Sequence, residues 1–166
     1  PVADVLAVQE DISREISQNL RLRLSGEEKV RLTKRYTENP EAYQLYLKGR
    51  YYWNKRTPQG FKRAREHFEQ AIEKDPGYAL AYTGLADCYS ALDWYGLLAP
   101  KECYPKAQAA ATKALAIDDA LAEAHASLGW LKVLYDWDWP GSEREFKRAI
   151  ELNPNYSTAH LYYVNF

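Results

Sequence analysis

Phe68-Glu-Gln-Ala71-Ile72-Glu-Lys-Asp-Pro76 and Phe146-Lys-Arg-Ala149-Ile150-Glu-Leu-Asn-Pro154 are one pattern written twice. Between them, Ala111-Thr-Lys-Ala114-Leu115-Ala-Ile-Asp-Asp119 repeats it with Asp where Pro stood. A second motif precedes each copy: Tyr46-Leu-Lys-Gly49-Arg-Tyr-Tyr52, Thr83-Gly-Leu-Ala86-Asp-Cys-Tyr89 and Ser127-Leu-Gly129-Trp-Leu-Lys132. Three copies are visible, and Ser157 to Phe166 opens a fourth. Small residues at fixed places let two antiparallel helices approach closely, while the aromatics fill the space between neighbouring pairs. Pro76 and Pro154 cannot continue a helix, so each marks a turn into the next copy. One such hairpin cannot bury both of its faces; stacking does, which predicts an all-α solenoid of antiparallel helix pairs.

Spacing shows where the copies differ. From the helix-ending position to the next small residue the interval is constant, 76 to 86 and 119 to 129. From small residue to helix end it varies: 49 to 76, 86 to 119 and 129 to 154. The insertions therefore belong to the loop inside each hairpin, all along one edge, with Leu92 to Ala99 the longest.

Ahead of the repeats, Asp4 can cap a helix whose apolar stripe is Val5, Val8, Ile12, Ile16 and Leu20. Ser25-Gly26-Glu27-Glu28 reads as a capping box opening a second helix to about Arg35, closed by Asn39-Pro40. The stripe needs a surface, and the first repeat's end is the expected one.

Composition bounds the rest. Lys plus Arg number 22 against 23 Asp plus Glu in 166 residues, which argues against a surface given wholly to nucleic acid or anionic lipid. Two cysteines exclude a disulfide-dense scaffold and a four-cysteine zinc site. Charge breaks every apolar run well short of a membrane span. The chain has no Met and begins at Pro1, so it is expected to be a piece of a longer protein. Without a signal pattern it is expected in the cytoplasm, or in the periplasm if a span lies upstream.

The repeated pattern resembles the tetratricopeptide repeat (TPR) family. That resemblance places Gly49, Ala86 and Gly129 at the small repeat position 8, and Ala71, Ala114 and Ala149 at position 27. Position 20 holds Ala64, Ala107 and Ser142, and position 24 holds Phe68, Ala111 and Phe146. Departures are Leu45, His125 and His160 at position 4 and Lys132 at position 11. The implied organisation is 1–39 capping or linker helices, 40–76 repeat one, 77–119 repeat two with its long insertion, 120–154 repeat three, and 155–166 the first helix of repeat four. Asp4-Val-Leu-Ala-Val-Gln-Glu-Asp-Ile-Ser-Arg-Glu-Ile, with Ala42-Tyr-Gln-Leu-Tyr-Leu-Lys-Gly-Arg-Tyr-Tyr-Trp, resembles a junction in multidomain bacterial signalling proteins. Those include adenylate cyclases, receptor-type serine/threonine kinases and winged-helix regulators, with an output domain upstream.

The family binds peptides in a concave groove lined by the first helix of each repeat. Carried over, that groove is Tyr43, Tyr46, Arg50, Trp53 and Asn54 in repeat one, and Leu80, Thr83, Asp87, Ser90 and Ala91 in repeat two. Repeat three gives Glu123, Ala126, Trp130, Val133 and Leu134, and the fourth Thr158, Leu161 and Asn165. Trp53 and Trp130 are the expected aromatic anchors, Arg50 and Asp87 the charge-reading contacts. Members that grip chaperone carboxylates use a Lys/Asn/Arg set; here Tyr46, Gly84, Glu123 and Ser127 stand there and only Arg50 remains. Chaperone co-factor activity is not expected.

No catalytic constellation accompanies these residues. His67, His125 and His160 are scattered and read as packed rings rather than ligands. Asp136-Trp137-Asp138-Trp139-Pro140 offers two carboxylates to a cation, but the fuller reading is that Asp138 caps a helix while the Trp rings pack under the loop. Cys88 and Cys103 flank the 92–99 loop symmetrically; a disulfide is conceivable across the hairpin, and free thiols are the expectation. Residues 45–76 carry a net charge of +4 and 120–166 a net −2. Arg50-Tyr51-Tyr52-Trp53-Asn54-Lys55-Arg56 reads either as a phosphate or acidic-peptide contact or, more simply, as a solvated face over core aromatics. The expectation is a non-enzymatic interaction module with no cofactor, no metal and no nucleic-acid partner. It takes a protein or peptide ligand, with self-association through the solenoid's open end as the alternative.

Overall fold

A computed structural model describes Val8, Asp11, Ile12, Glu15 and residues 34–166. The described residues contain seven α-helices and no strand: α1 Pro40–Asn54, α2 Pro58–Lys74, α3 Ala79–Trp94, α4 Pro100–Ile117, α5 Ala122–Leu131, α6 Trp139–Leu152 and α7 Ser157–Val164. They pair as antiparallel hairpins α1/α2, α3/α4 and α5/α6, stacked in chain order, with α7 laid against the last. This is the all-α solenoid that the repeat requires.

Helix starts follow from local chemistry. Asn39 accepts from the Glu41 and Ala42 amides at 3.0 and 3.1 Å, Thr57 from Gly60 at 3.0 Å, and Asp138 from Gly141 at 2.9 Å. Pro40, Pro58 and Pro140 follow directly or one residue later, where a missing N–H costs nothing. The turns between hairpins are built alike from Asp75, Asp118 and Asn153. Each donates its amide to the alanine four residues back at 2.9 Å. Each side chain also accepts from the amide two residues on, Gly77 at 2.9 Å, Ala120 at 3.2 Å and Asn155 at 3.3 Å. The middle turn therefore forms without a proline, because the carboxamide or carboxylate shapes it.

Close approach decides the packing. The Phe68 ring fills the space between α1 and α3: a Cβ on Gly49 would lie 2.5 Å from it, and one on Gly84 2.6 Å. Phe146 does the same at Gly129, where a Cβ would lie 2.8 Å away. Both rings are fully buried, each stabilising the fold by about 1.5–3 kcal/mol relative to exposure. Ala71 packs with Ala42, Tyr78 and Ala81, and Ala149 with Ala126 and Ala159, as close helix contacts demand. Cys88 and Cys103 are free thiols, both buried in the core, and burial pushes both thiols up.

Three local expectations are amended. Helix α3 runs on through Trp94, with Leu92 buried, so the interhelical segment is 95–99 rather than 92–99. It turns on Gly96 at φ +65°. Asp138 caps α6 as read, but the tryptophans beside it do not pack under the loop. Trp137 is 70% exposed, because its left-handed backbone (φ +53°) closes a π-helical turn at Lys132–Asp136 and aims the ring outward; Trp139 is exposed too. Val8 and Ile12 are helical but exposed, so among the described residues they do not form a buried stripe. Val5, Ile16, Leu20 and the Ser25–Glu28 capping box lie outside the described residues.

The histidines pack at helix surfaces. His125 Nδ1 lies 2.7 Å from Glu145 and Nε2 3.0 Å from the Asp119 carbonyl. Burial opposes its charge, yet these two partners hold its pKa above the ordinary value. His67 stacks on Tyr52 with centroids 5.4 Å apart.

Candidate partner-binding groove

The first helices of the hairpins, α1, α3 and α5, together with the residue before α7, converge on one side of the solenoid. They enclose a cleft of about 90 Å³ lined by Tyr46, Arg50, Leu80, Thr83, Gly84, Asp87, Glu123 and Tyr156. Its floor is charged. The Arg50 guanidinium lies 3.7 Å from Asp87 and stacks over the Trp53 ring at 4.8 Å. Asp87 is 11% exposed and accepts a hydrogen bond from Ser127 at 2.6 Å.

These surroundings shift the titrating groups. Burial raises the Asp87 carboxyl to about 6, although the Ser127 hydroxyl and the Arg50 charge pull the other way. Burial raises Glu123 as well, and takes the Tyr46 phenol to about 12. Tyr156 and Tyr162 are pushed further up by the same cause. Carboxylates kept out of water are costly unless paired, and here Arg50 and Ser127 partner Asp87 while Arg50 and Lys34 favour the charged form of Glu123.

An aromatic ladder continues from the cleft toward the later repeats. Trp130 stacks on Tyr162 at 4.7 Å and tilts against Trp94 at 6.1 Å. At the other end, Arg56 covers the Trp53 ring at 3.6 Å, held there by a left-handed backbone at φ +49°.

Of the residues singled out from sequence, Tyr46, Arg50, Leu80, Thr83, Asp87 and Glu123 come together in the cleft. Trp130 belongs to the ladder. Trp53 is 7% exposed and packs in the core with Phe61 and Leu92, so a guanidinium roof rather than an open ring faces outward there. Tyr43 packs beside the Ala42–Tyr78 cluster, and Asn54 is exposed at the end of α1. Ser90 is half-buried, as are Val133 and Leu134 within the π-helical turn; Ala91 and Ala126 are buried in helix contacts. Thr158 is half-buried, while Leu161 and Asn165 are exposed on α7. None of these lines the cleft.

Sequence reading missed Tyr156 as a cleft residue. One signal existed: the residue just before α3, α5 and α7 is Tyr78, Leu121 and Tyr156, a recurring large side chain. The first two are buried between repeats, and the third turns to the cleft.

Among the described residues no helix is long and apolar enough to cross a membrane, and no three His, Cys, Asp or Glu side chains gather as a metal site.

Residues 67–108 match the tetratricopeptide repeat family. The chain is 27% identical over 123 residues to the transcriptional regulator HilA of Salmonella paratyphi A, covering 74% of this chain and 22% of that protein. It is 32% identical over 83 residues to a Rhizobium meliloti protein named as an adenylate cyclase, covering 50% of this chain and 14% of the relative. The chain thus spans less than a quarter of the length of either relative. Among solved structures, the first TPR domain of Spaghetti (RPAP3), bound to the HSP90 peptide SRMEEVD, superposes with a TM-score of 0.58 at 19% identity, covering 76% of this chain and 90% of that one. Residues 67–108 thus match a tetratricopeptide repeat, and the stacked helix hairpins share the all-α fold of solved TPR domains.

Proposed function

We propose that this chain is a non-catalytic interaction module that receives a peptide or protein partner on its concave face. The observation that carries this reading is the cleft, where Tyr46 and Arg50, Thr83 and Asp87, and Glu123 from three successive first helices converge on one face, with Arg50 3.7 Å from Asp87. The solved neighbour with a bound HSP90 peptide supports the general mode. The regulator and cyclase relatives support a place within a larger bacterial signalling protein, with the output domain elsewhere in that protein. The groove residues in this reading are Tyr46, Arg50, Thr83, Asp87, Glu123 and Trp130, with Tyr43, Asn54, Ser90, Val133 and Leu134 outside the cleft proper and Trp53 lying beneath Arg50 and Arg56 rather than open to a partner. The working boundaries are 40–76, 77–119 and 120–154 for the three repeats, residues 1–39 ahead of them and 155–166 beginning the next.

The test is a peptide-display selection against the chain, followed by fluorescence anisotropy with the selected peptide. Arg50→Ala and Trp130→Ala should each weaken binding by about tenfold or more, while both variants keep the helical signal of the parent. Undiminished binding in both would place the partner surface elsewhere.

A second reading has its own observation. On α7, Leu161 is exposed and Val164 is 84% exposed, with Trp139 exposed nearby, an apolar end that a second copy can cover. Light scattering decides: a dimer that Val164→Glu converts to monomer favours self-association, and a monomer at every concentration removes it.

A further inference from the structure

We infer that the face of the first hairpin turned away from the cleft is a second docking surface, one that takes an acidic segment of a partner protein. It is independent of the concave face. Lys48, Tyr51, Tyr52 and Lys55 recur at helical spacing along α1, so they share one side of it. At about 100° per residue that side is opposite Tyr46, Arg50 and Trp53, and none of the four lines the cleft. Tyr52 is the hub. Arg63 of α2 donates to its hydroxyl at 3.4 Å and covers its ring at 5.4 Å. His67 stacks on the same ring at 5.4 Å, and Tyr51 meets it edge-on at 5.2 Å. Lys55 lies over both tyrosines, 4.6 Å from Tyr51 and 5.7 Å from Tyr52.

Charge decides what the surface takes. Lys48, Lys55, Lys62 and Arg63 are all exposed, and among the described residues none of them is paired with a carboxylate. Their neighbours differ: Arg65 meets Glu69 at 3.6 Å, and Lys74 meets Glu41 at 2.7 Å. Glu66, one turn beyond Arg63, is exposed and forms an ion pair with none of the four. Helix α2 adds the positive end of its dipole at the same end of the hairpin, with no acid in its first turn. The tyrosine rings seat the heads of Lys55 and Arg63, so less side-chain freedom is lost when an anion arrives. Carboxylates accept charge-assisted hydrogen bonds from such heads. A nucleic-acid strand fits less well. Base stacking needs an open ring face, and Tyr52 already carries His67, Arg63 and Lys55. From Lys48 to Lys55 is about 10 Å at the helical rise, enough for three or four residues of extended peptide. A long polyanion would run on past it over a chain whose net charge is −1.

The test uses defined probes rather than a natural partner. The ¹⁵N-labelled chain is titrated with acetyl-tetraglutamate amide and, separately, with pentathymidylate of equal charge. Amide shifts are followed at Tyr51, Tyr52, Lys55 and Arg63, and at Thr83 and Asp87 in the cleft. The expected result is saturable movement of the first group, tighter for tetraglutamate than for pentathymidylate, with the cleft amides unmoved. Lys55→Gln and Arg63→Gln should each weaken tetraglutamate binding about threefold, as the loss of an exposed charge pair does. Lys113→Gln, an equal charge change at an exposed position of α4, should leave it unaltered. Pentathymidylate binding as tightly or more tightly, an equal loss from Lys113→Gln, or no saturable movement of the Tyr51–Arg63 amides would each overturn the assignment. The comparison of the two probes on the unaltered chain stands even if a variant folds poorly. None of these outcomes removes the concave-face reading, which falls only if display selection returns no peptide sensitive to Arg50 and Trp130.

Discussion

The first and third hairpins are closed by phenylalanine against glycine, and the middle one by alanine against alanine. Phe68 sits against Gly49 of its own hairpin and Gly84 of the next, and Phe146 against Gly129. In the middle hairpin the equivalent positions are Ala86 and Ala111, both fully buried, and bulk comes from Leu92 of the same pair and Leu131 of the next. Side-chain volume is thus traded across the interfaces: the two phenylalanine rings need an absent Cβ on the facing helix, while the smaller leucines pack beside alanine. The middle hairpin, built of small residues inside, is also the one whose first helix presents Asp87 to the cleft.

The sharpest way to break this contrast is Phe68→Ala. It should cost about 3–5 kcal/mol in urea unfolding, since the ring fills a space between two hairpins that cannot collapse without moving both. Ala111→Gly at the equivalent place should cost only about 1 kcal/mol. Comparable losses would mean that Phe68 is not the wedge described. Next, Gly49→Ala and Gly84→Ala should each cost about 1–3 kcal/mol by overpacking, whereas Ala is ordinarily favoured over Gly inside a helix. Phe68→Leu should recover part of that loss in a double-mutant cycle, and additivity would contradict direct contact.

The charged side of the middle hairpin gives a pH prediction. Burial lifts the Asp87 carboxyl to about 6. An acid raised in the folded state favours folding fully below its unfolded value, near pH 4, and that contribution is lost as pH rises through about 6. The stability of Asp87→Asn relative to the parent should therefore increase between pH 4 and pH 7, by on the order of 2 kcal/mol. A difference that stays flat across that range would show Asp87 well solvated. The smallest effect belongs to the third hairpin's entrance: Asp138→Ala should cost about 1 kcal/mol by removing the cap on Gly141, seen as a small drop in melting temperature.

Much of the architecture was legible because each hairpin repeats the same small and aromatic positions, and local spacing suffices to pair its helices. Asp118-Asp119 in place of Asp75-Pro76 did not obscure the turn, since the Asx side chain rather than the ring shapes it. The cleft was only half legible. Arg50, Asp87 and Glu123 share equivalent helix faces, but Tyr156 reaches the cleft through the accumulated rotation of three hairpins, which no local pattern encodes. The exposure of Trp137 was hidden for another reason. A π-helical turn followed by a left-handed tryptophan is a tertiary solution, pinned from the second repeat by Tyr104 bonded to Asp136 and Asp93 bonded to Tyr135. Trp53 misled in the opposite direction, since its helix position points to the groove while its ring is roofed by Arg50 and Arg56.

The central claim, that partners meet the concave face, is tested most directly by chemical-shift mapping of a display-selected peptide on the ¹⁵N-labelled chain. The account predicts perturbations concentrated at Tyr46, Arg50, Thr83, Asp87, Glu123 and Trp130, with little change on the outer helices α2, α4 and α6. Perturbations confined to α7 or to the loops at 95–99 and 137–138, with the cleft amides unmoved, would contradict it.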